Sequence, residues 1–173
     1  LGLASIPHDR ARLDAVELAP FRTAIAAGAD AIMIAHVALP TLDPSGSPAT
    51  MSAPLVSGLL RRDVGFDGLV YTDSMSMAAI ARLASAGEAA VRAVEAGADL
   101  VVHSPDDVAA ASALKEAVGS GRISMARNRR ASSTTRPTSS GPRSMPSTMS
   151  GWSRAASRAS TSTLPARTRS RAA

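Results

Sequence analysis

The chain has 173 residues, a mass of 17.6 kDa, no cysteine and a formal net charge of +5. That length suits one modest domain and is too short for a complete (β/α)8 barrel, which needs about 250 residues. Without cysteine, disulfide scaffolds, cysteine-ligated zinc sites and thiol catalysis are excluded. No apolar run approaches the ~20 residues that a membrane span needs, and no secretory signal is visible.

The charge is divided unevenly between two parts of the chain. Residues 1–121 contain 8 basic and 14 acidic residues, a net −6, whereas residues 122–173 contain 11 arginines and no acidic residue, a net +11. The second part holds 13 serines and few apolar residues, so it cannot bury enough apolar surface to offset its ordering entropy. We therefore expect a folded domain over 1–121 and a disordered basic tail over 122–173.

Three interpretations of this tail stay open. A GC-rich gene read in a shifted frame gives such an Arg-, Ser-, Ala-, Thr- and Pro-rich sequence, and this interpretation is favoured because the composition changes abruptly near 124–128. The tail could also be a solvated linker, or an arm that binds nucleic-acid phosphates. Trp152 is the only aromatic residue in it, so a nucleic-acid partner is not expected.

Residues 1–121 have the pattern of alternating helices and strands. The predicted elements are, in chain order, a helix capped by Asp9, a short helix from Pro20 to Gly28, a strand over 29–36, a loop over 38–50, a helix over 53–63, a strand over 68–73, helices over 76–84 and 87–96 closed by Gly97, a strand over 98–103, and a helix over 106–118. The continuous apolar runs are typical of parallel strands buried on both faces. Three such strands are too few for a closed barrel or a covered open sheet, so the pattern indicates part of a larger α/β architecture.

Three residues capable of chemistry lie where the predicted strands end, at His36, Asp73 and His103. Their spacings of 37 and 30 residues match the ~30-residue βαβ unit. Ligands gather at the carboxyl ends of parallel strands in barrels and in open sheets alike. The sequence therefore predicts a functional site at these three positions.

Each candidate also has a structural alternative. Asp73 could cap the helix that follows it, His36 could be a satisfied buried residue, and His103 could begin a turn. His8 is expected to cap a helix start, and Asp43 to make a local turn in the proline-rich loop. No HExxH, GxGxxG or Walker pattern occurs, so no metal, dinucleotide or other cofactor is expected.

Several segments of the sequence occur together in one order. They are ELAPF (17–21), AIMIAHV (31–37), PATMS (48–52), LLR (59–61), GFDGLVYTDSMSM (65–77) and EAGAD (95–99). Together they resemble the second half of the catalytic barrel of family 3 glycoside hydrolases, from residue 1 to about residue 123. The β-N-acetylhexosaminidase branch is the closer match, because Ser74 stands where the β-glucosidase branch usually has a tryptophan.

The resemblance implies a fold, an activity and two site residues. The fold would be a fragment of a (β/α)8 TIM-type barrel with about three βα units, and residues 1–121 would be a partial catalytic domain. The activity would be retaining hydrolysis of terminal N-acetylglucosamine from peptidoglycan or chitin fragments, with β-glucosidase as the alternative. Asp73 would be the catalytic nucleophile, and His36 would support the sugar subsite. A carbohydrate is the expected partner, without membrane or cofactor; the compartment stays open, with the cytoplasm slightly favoured.

The resemblance also predicts that this chain alone is inactive or nearly so. The acid/base histidine of the branch, and the sugar-binding residues of the barrel's first half, would fall before Leu1. The missing strands would leave edges and apolar faces uncovered, so aggregation is expected as well.

Overall fold

The computed structural model describes residues 2–124. The strands are β1 (Ala4–Ser5), β2 (Ala31–Ile34), β3 (Val37–Ala38) and β4 (Leu69–Thr72). The helices are α1 (Arg10–Arg12), α2 (Ala19–Ala26), α3 (Ala78–Ala81), α4 (Ala86–Ala96) and α5 (Asp107–Gly119), with π-helical segments over Leu13–Glu17 and Pro54–Asp63 and a 3-10 turn over Ala49–Met51. Most of the predicted tail lies outside the described residues, so its predictions stay predictions.

Every strand pair within residues 2–124 is parallel. β1 pairs with β3, and β2 pairs with β4 in a register that sets Ile34 opposite Thr72. A single parallel bridge then joins Tyr71 to Leu100. Because only two residues separate β2 from β3, the two act as one interrupted strand with β1 on one side and β4 on the other.

The predicted strand over 98–103 is reduced to this one bridge at Leu100. The N–H of Val102 donates to the Thr72 side-chain Oγ1, 3.0 Å away, where a ladder would use a main-chain carbonyl. His103 then turns the chain with a positive φ of 51°. A side-chain acceptor and a left-handed residue therefore end the pairing that the apolar run predicted.

The prediction that the strands are buried on both faces was wrong. Ile32 and Ile34 pack into an apolar cluster beneath the helices, whereas Met33, between them, is 47% exposed. The other members of the cluster are Val56, Phe66, Val70, Ala96, Ile25 and Leu60. Leu100 is 50% exposed, so one face of the sheet carries the core and the other is uncovered.

The predicted helices occur, with changes at their ends and in their winding. The Asp9 side chain accepts the N–H of Arg12, 2.8 Å away, and so caps α1 as predicted. Asp106 caps α5 in the same way, and Gly97, with a φ of 123°, ends α4. The helix expected over 53–63 forms as a π-helix. No helix within residues 2–124 is long and apolar enough to cross a membrane.

Three short elements were not predicted from the sequence. The strand β1 and the 3-10 turn Ala49–Met51 fall in segments that show no hydrophobic period, and β3 lies beyond the end of the strand predicted over 29–36. Each is only two or three residues long, so tertiary contacts rather than local pattern define it.

Arg61 closes the amino end of β4. One of its guanidinium nitrogens donates to the Gly68 carbonyl and another to Asp99 Oδ2, 2.6 Å away. The same Asp99 oxygen accepts the N–H of Val70 at 2.8 Å. The guanidinium carbon lies 5.6 Å from the centre of the Phe66 ring, in cation–π contact. We call these five residues the amino-end clamp.

Packing continues just beyond residue 121. Ile123 is buried, and its N–H donates to the Ala117 carbonyl at 3.0 Å. Arg122 pairs with Glu88 and Glu95 on α4, and these hydrogen bonds raise the pKa of its guanidinium above the ordinary value. The first two residues assigned to the predicted tail therefore contact the folded part.

Candidate active site

Ser74 connects the three residues that the sequence predicted at strand ends. Its N–H donates to Asp73 Oδ1 at 2.7 Å, and its carbonyl lies 2.9 Å from His36 Nε2. Its hydroxyl lies 2.8 Å from His103 Nδ1. The structure thus brings all three predicted positions to one serine at the carboxyl ends of the strands.

The Asp73 carboxylate is held by one oxygen and open at the other. Its main-chain N–H donates to the Ile34 carbonyl at 2.9 Å, which extends the β2–β4 pairing by one step. The side chain is half-buried, and within residues 2–124 its Oδ2 has no hydrogen-bond partner. It does not cap the next helix, because Met77 precedes α3 and supplies no side-chain cap.

His36 is 7% exposed and both of its ring nitrogens have protein partners. Since the Ser74 carbonyl can only accept, Nε2 carries the proton of that bond. In the neutral ring, Nδ1 then accepts from the Thr50 hydroxyl, 2.8 Å away. His36 is therefore a satisfied buried histidine; the sugar-binding role implied by the resemblance stays a prediction.

The loop that carries Thr50 also holds a small polar network that the sequence did not reveal. Two residues further on, Ser52 donates to the buried Asp43 carboxylate at 2.5 Å. Burial by itself raises the pKa of Asp43, but the hydrogen bonds from Ser52 and Ser45 outweigh it and leave the pKa below the ordinary value. Asp43 makes the predicted turn through the Ser45 N–H and also anchors the loop that carries Thr50.

His103 is exposed and its backbone is left-handed, which is sparsely populated for residues other than glycine. Its Nδ1 lies 3.3 Å from the Ser76 hydroxyl as well as close to Ser74, and the two hydroxyls are 2.9 Å apart. The backbone changes direction at His103 through this positive φ, and the ring reaches into the cluster around Asp73.

His8 lies apart from this cluster. Its carbonyl accepts a hydrogen bond from Thr41, and the cap of α1 comes from Asp9, so the predicted capping role of His8 was wrong. Among the described residues, no group of three or more His, Asp or Glu side chains is arranged to hold a metal ion.

The sequence model of the family described as "Glycosyl hydrolase family 3 N terminal domain" matches residues 1–135. The chain belongs to this family. Among similar proteins, a "Beta-hexosaminidase" from Xylella fastidiosa strain 9a5c is 40% identical over 90 residues, covering 52% of this chain and 26% of that protein. A "Beta-hexosaminidase" from Stenotrophomonas maltophilia strain K279a is 41% identical over 97 residues, covering 56% of this chain and 28% of that protein.

A solved family 3 structure is also similar. The β-N-acetylglucosaminidase from Paenibacillus sp. str. FPU-7 superposes with a TM-score of 0.71 and 51% identity, covering 74% of this chain and 25% of that one. The chain thus spans about a quarter of the length of the family 3 proteins that it matches.

Proposed function

We propose that this chain is part of a retaining β-N-acetylhexosaminidase in which Asp73 is the nucleophile. The observation that carries the proposal is the state of the Asp73 carboxylate, which has one oxygen held by the Ser74 N–H and the other without a partner among the described residues. A nucleophile of this kind must be oriented and must keep an oxygen for attack. The names of the relatives, β-hexosaminidase and β-N-acetylglucosaminidase, support the sugar class.

The reaction would proceed in two displacements. The free Asp73 oxygen attacks the anomeric carbon while the bond to the leaving oxygen breaks, and that oxygen takes a proton from an acid. A water then attacks the same carbon, gives its proton to the conjugate base, and releases Asp73 as a carboxylate. Two inversions at one carbon leave the configuration of the sugar unchanged.

For the complete fold we propose a (β/α)8 barrel of which residues 1–121 supply about three βα units. The described strand pairs are all parallel. With β2 and β3 counted as one interrupted strand, each strand pairs with the next one along the chain, as in a barrel, whereas a doubly wound sheet reverses its strand order. The exposed Met33, Leu69 and Leu100 side chains also support a barrel. They lie on the sheet face opposite the helices, which a closed barrel fills with side chains from the other strands.

The proposed substrate is a terminal N-acetylglucosaminide of peptidoglycan or chitin fragments. The rival within the same family is a β-glucoside. Comparing 4-nitrophenyl N-acetyl-β-glucosaminide with 4-nitrophenyl β-glucoside on the full-length parent protein separates the two. Preference for the N-acetylated sugar is the expected result, and preference for the glucoside contradicts the proposal.

The 173-residue chain itself is proposed to be inactive or nearly so in turnover. Within residues 2–124 both ring nitrogens of His36 are engaged, by the Thr50 hydroxyl and the Ser74 carbonyl, so this histidine is not available as the proton donor. We therefore expect negligible release of 4-nitrophenol by the purified chain. Robust hydrolysis that Asp73→Asn abolishes would refute this inactivity.

An activated substrate tests the nucleophile without the help of a proton donor. Dinitrophenolate is a leaving group that needs no proton, so 2,4-dinitrophenyl N-acetyl-β-glucosaminide should still transfer its sugar to the Asp73 carboxylate. Intact-mass measurement should show one added N-acetylglucosaminyl group per chain. The Asp73→Asn variant should show none, and an equal adduct in that variant contradicts the assignment.

A non-enzymatic role through the basic residues 122–173 is the second candidate from the sequence. Its +11 charge predicts salt-dependent binding to nucleic-acid phosphates. Deleting 125–173, which leaves the contacts of Arg122 and Ile123 with the folded part in place, and measuring DNA binding against salt concentration tests this role. Binding that is unchanged by the deletion removes the tail from consideration.

A further inference from the structure

Three polar groups of Ser74 are each engaged by a residue at a different strand end. The N–H holds Asp73, the carbonyl holds His36, and the hydroxyl contacts His103. We propose that Ser74 is the positioning residue for the Asp73 carboxylate, and that His36 and His103 hold Ser74 from two sides. Its catalytic consequence rests on the proposed function, while the positioning itself does not.

The His36 side of this arrangement is rigid because it is buried. Thr50 is fully buried, and its contact with Nδ1 fixes the ring so that Nε2–H points at the Ser74 carbonyl. A donor held at both ends fixes the orientation of the peptide group that it contacts. The peptide group between Ser74 and Met75 is therefore fixed on its carbonyl side, and the Met75 N–H is fixed by the Val102 carbonyl, 3.0 Å away.

On the other side of Ser74, the backbone of His103 adopts a strained, left-handed conformation. A histidine with positive φ persists only where its surroundings over-determine it, and such residues concentrate at functional sites. Here the ring meets the hydroxyls of both Ser74 and Ser76, so the strained backbone brings the imidazole onto the loop after Asp73. A turn alone would be better served by glycine.

The consequence concerns the free oxygen of Asp73. With Oδ1 fixed by the Ser74 N–H, the carboxylate loses its rotation and Oδ2 keeps one direction of attack. Misplacing a reacting group by about 1 Å can cost about 100-fold in rate. Loosening Ser74 should therefore slow sugar transfer to Asp73 without affecting the stability of the amino-end clamp.

The experiment compares His103→Gly with His8→Ala, a histidine that has no hydrogen bond to the cluster, in the full chain labelled with [13C]carboxyl aspartate. The Asp73 signal is assigned with Asp73→Asn. We expect His103→Gly to shift the Asp73 signal and to keep or raise the unfolding midpoint, because glycine relieves the left-handed strain. His8→Ala should leave the Asp73 signal in place. A role of His103 in folding alone predicts a lower midpoint and an unmoved signal.

Thr50→Val is a second variant that approaches Ser74 from the buried side. It removes the hydroxyl that orients His36, and 15N signals of the ring nitrogens report whether the Nε2–H tautomer is lost. We expect the Asp73 signal to move with it. An Asp73 signal that is unchanged in both His103→Gly and Thr50→Val overturns the positioning proposal.

The rate at which the dinitrophenyl glycoside forms the adduct tests the catalytic consequence of the positioning by Ser74. We expect His103→Gly to slow it by about 10- to 100-fold, and His8→Ala to leave it unchanged. Equal rates in all variants overturn the catalytic consequence of positioning while sustaining Asp73 as nucleophile. Coupled NMR shifts without any adduct in the native sequence overturn the glycosidase proposal and sustain the positioning.

Discussion

Both ends of strand β4 carry charged and polar side chains. They differ in whether all of the polar atoms have a hydrogen-bond partner. At the amino end, Arg61 and Asp99 satisfy each other and the neighbouring main chain. At the carboxyl end, Asp73 keeps an oxygen without a partner among the described residues, and His103 bears a strained backbone. Polar groups whose hydrogen bonds are all made within the protein stabilise the fold. A reactive group must be oriented by the protein and still keep an atom free to react. The comparison predicts that substitutions at the two ends have separable effects.

The largest effect is expected from Asp73→Asn. Loss of the nucleophile should reduce adduct formation by at least about 1000-fold, with little change in the free energy of unfolding. The rate is measured by intact mass and the stability by urea unfolding. Asp67→Asn, an exposed aspartate in the same GFDG segment, is the matched control and should retain the adduct. A destabilised Asp73→Asn chain would mean that this end also supports the fold.

Arg61→Met should lower the free energy of unfolding and leave the Asp73 site unchanged, which is the opposite of the effect expected from Asp73→Asn. It leaves the largely buried Asp99 carboxylate without its ion-pair partner, for a loss of about 2–3 kcal/mol of unfolding free energy. The [13C]carboxyl signal of Asp73 should stay in place. Arg61→Lys should recover part of the stability through charge alone, without the forked geometry. A shift of the Asp73 signal in Arg61→Met would show that the two ends are coupled.

Gly68→Ala tests the packing within the amino-end clamp. A Cβ at this position would lie 2.5 Å from the Asp30 carbonyl oxygen and 2.6 Å from the Phe66 ring. We expect a loss of about 2 kcal/mol in urea unfolding, because backbone and ring must both shift. Gly119→Ala is the control, since a Cβ there has nothing within 4 Å. Equal stability of the two variants contradicts the packing described here.

Asp43→Asn is expected to change stability least, and in a pH-dependent way. Because folding lowers the pKa of Asp43 from its ordinary 3.8, its contribution is present above that pH and is lost as the pH falls through the folded-state value. The substitution should cost about 1 kcal/mol at pH 7 and less in acid. Urea unfolding at several pH values between neutral and acid measures the difference. A constant cost down to the lowest pH would contradict the lowered pKa.

The sequence predicted what depends on local pattern and missed what depends on tertiary contact. The caps at Asp9 and Asp106 and the end of α4 at Gly97 follow from short-range backbone chemistry. The loss of the strand around Leu100 could not be foreseen, because it depends on a hydroxyl of Thr72 one strand away. An apolar run in the sequence likewise does not show whether both faces of the strand it forms are covered by other parts of the protein.

At the candidate site, the strand-end positions were predictable and their connection was not. The spacing of His36, Asp73 and His103 placed three residues at one edge of a sheet. Nothing in the sequence indicated that Ser74 would join them, because a serine after a strand is equally a turn residue. The contact of Thr50 with His36 could not be predicted either, because Thr50 lies in a loop without a hydrophobic period.

The central claim is that the Asp73 carboxylate is the group that accepts the sugar. The most direct test is to treat the chain with the dinitrophenyl N-acetyl-β-glucosaminide, digest it with trypsin and map the adduct by mass spectrometry. The peptide between Arg62 and Arg82 contains Asp63, Asp67 and Asp73. We expect one N-acetylglucosaminyl group on Asp73. An adduct on Asp63, Asp67 or any residue other than Asp73 would contradict this assignment.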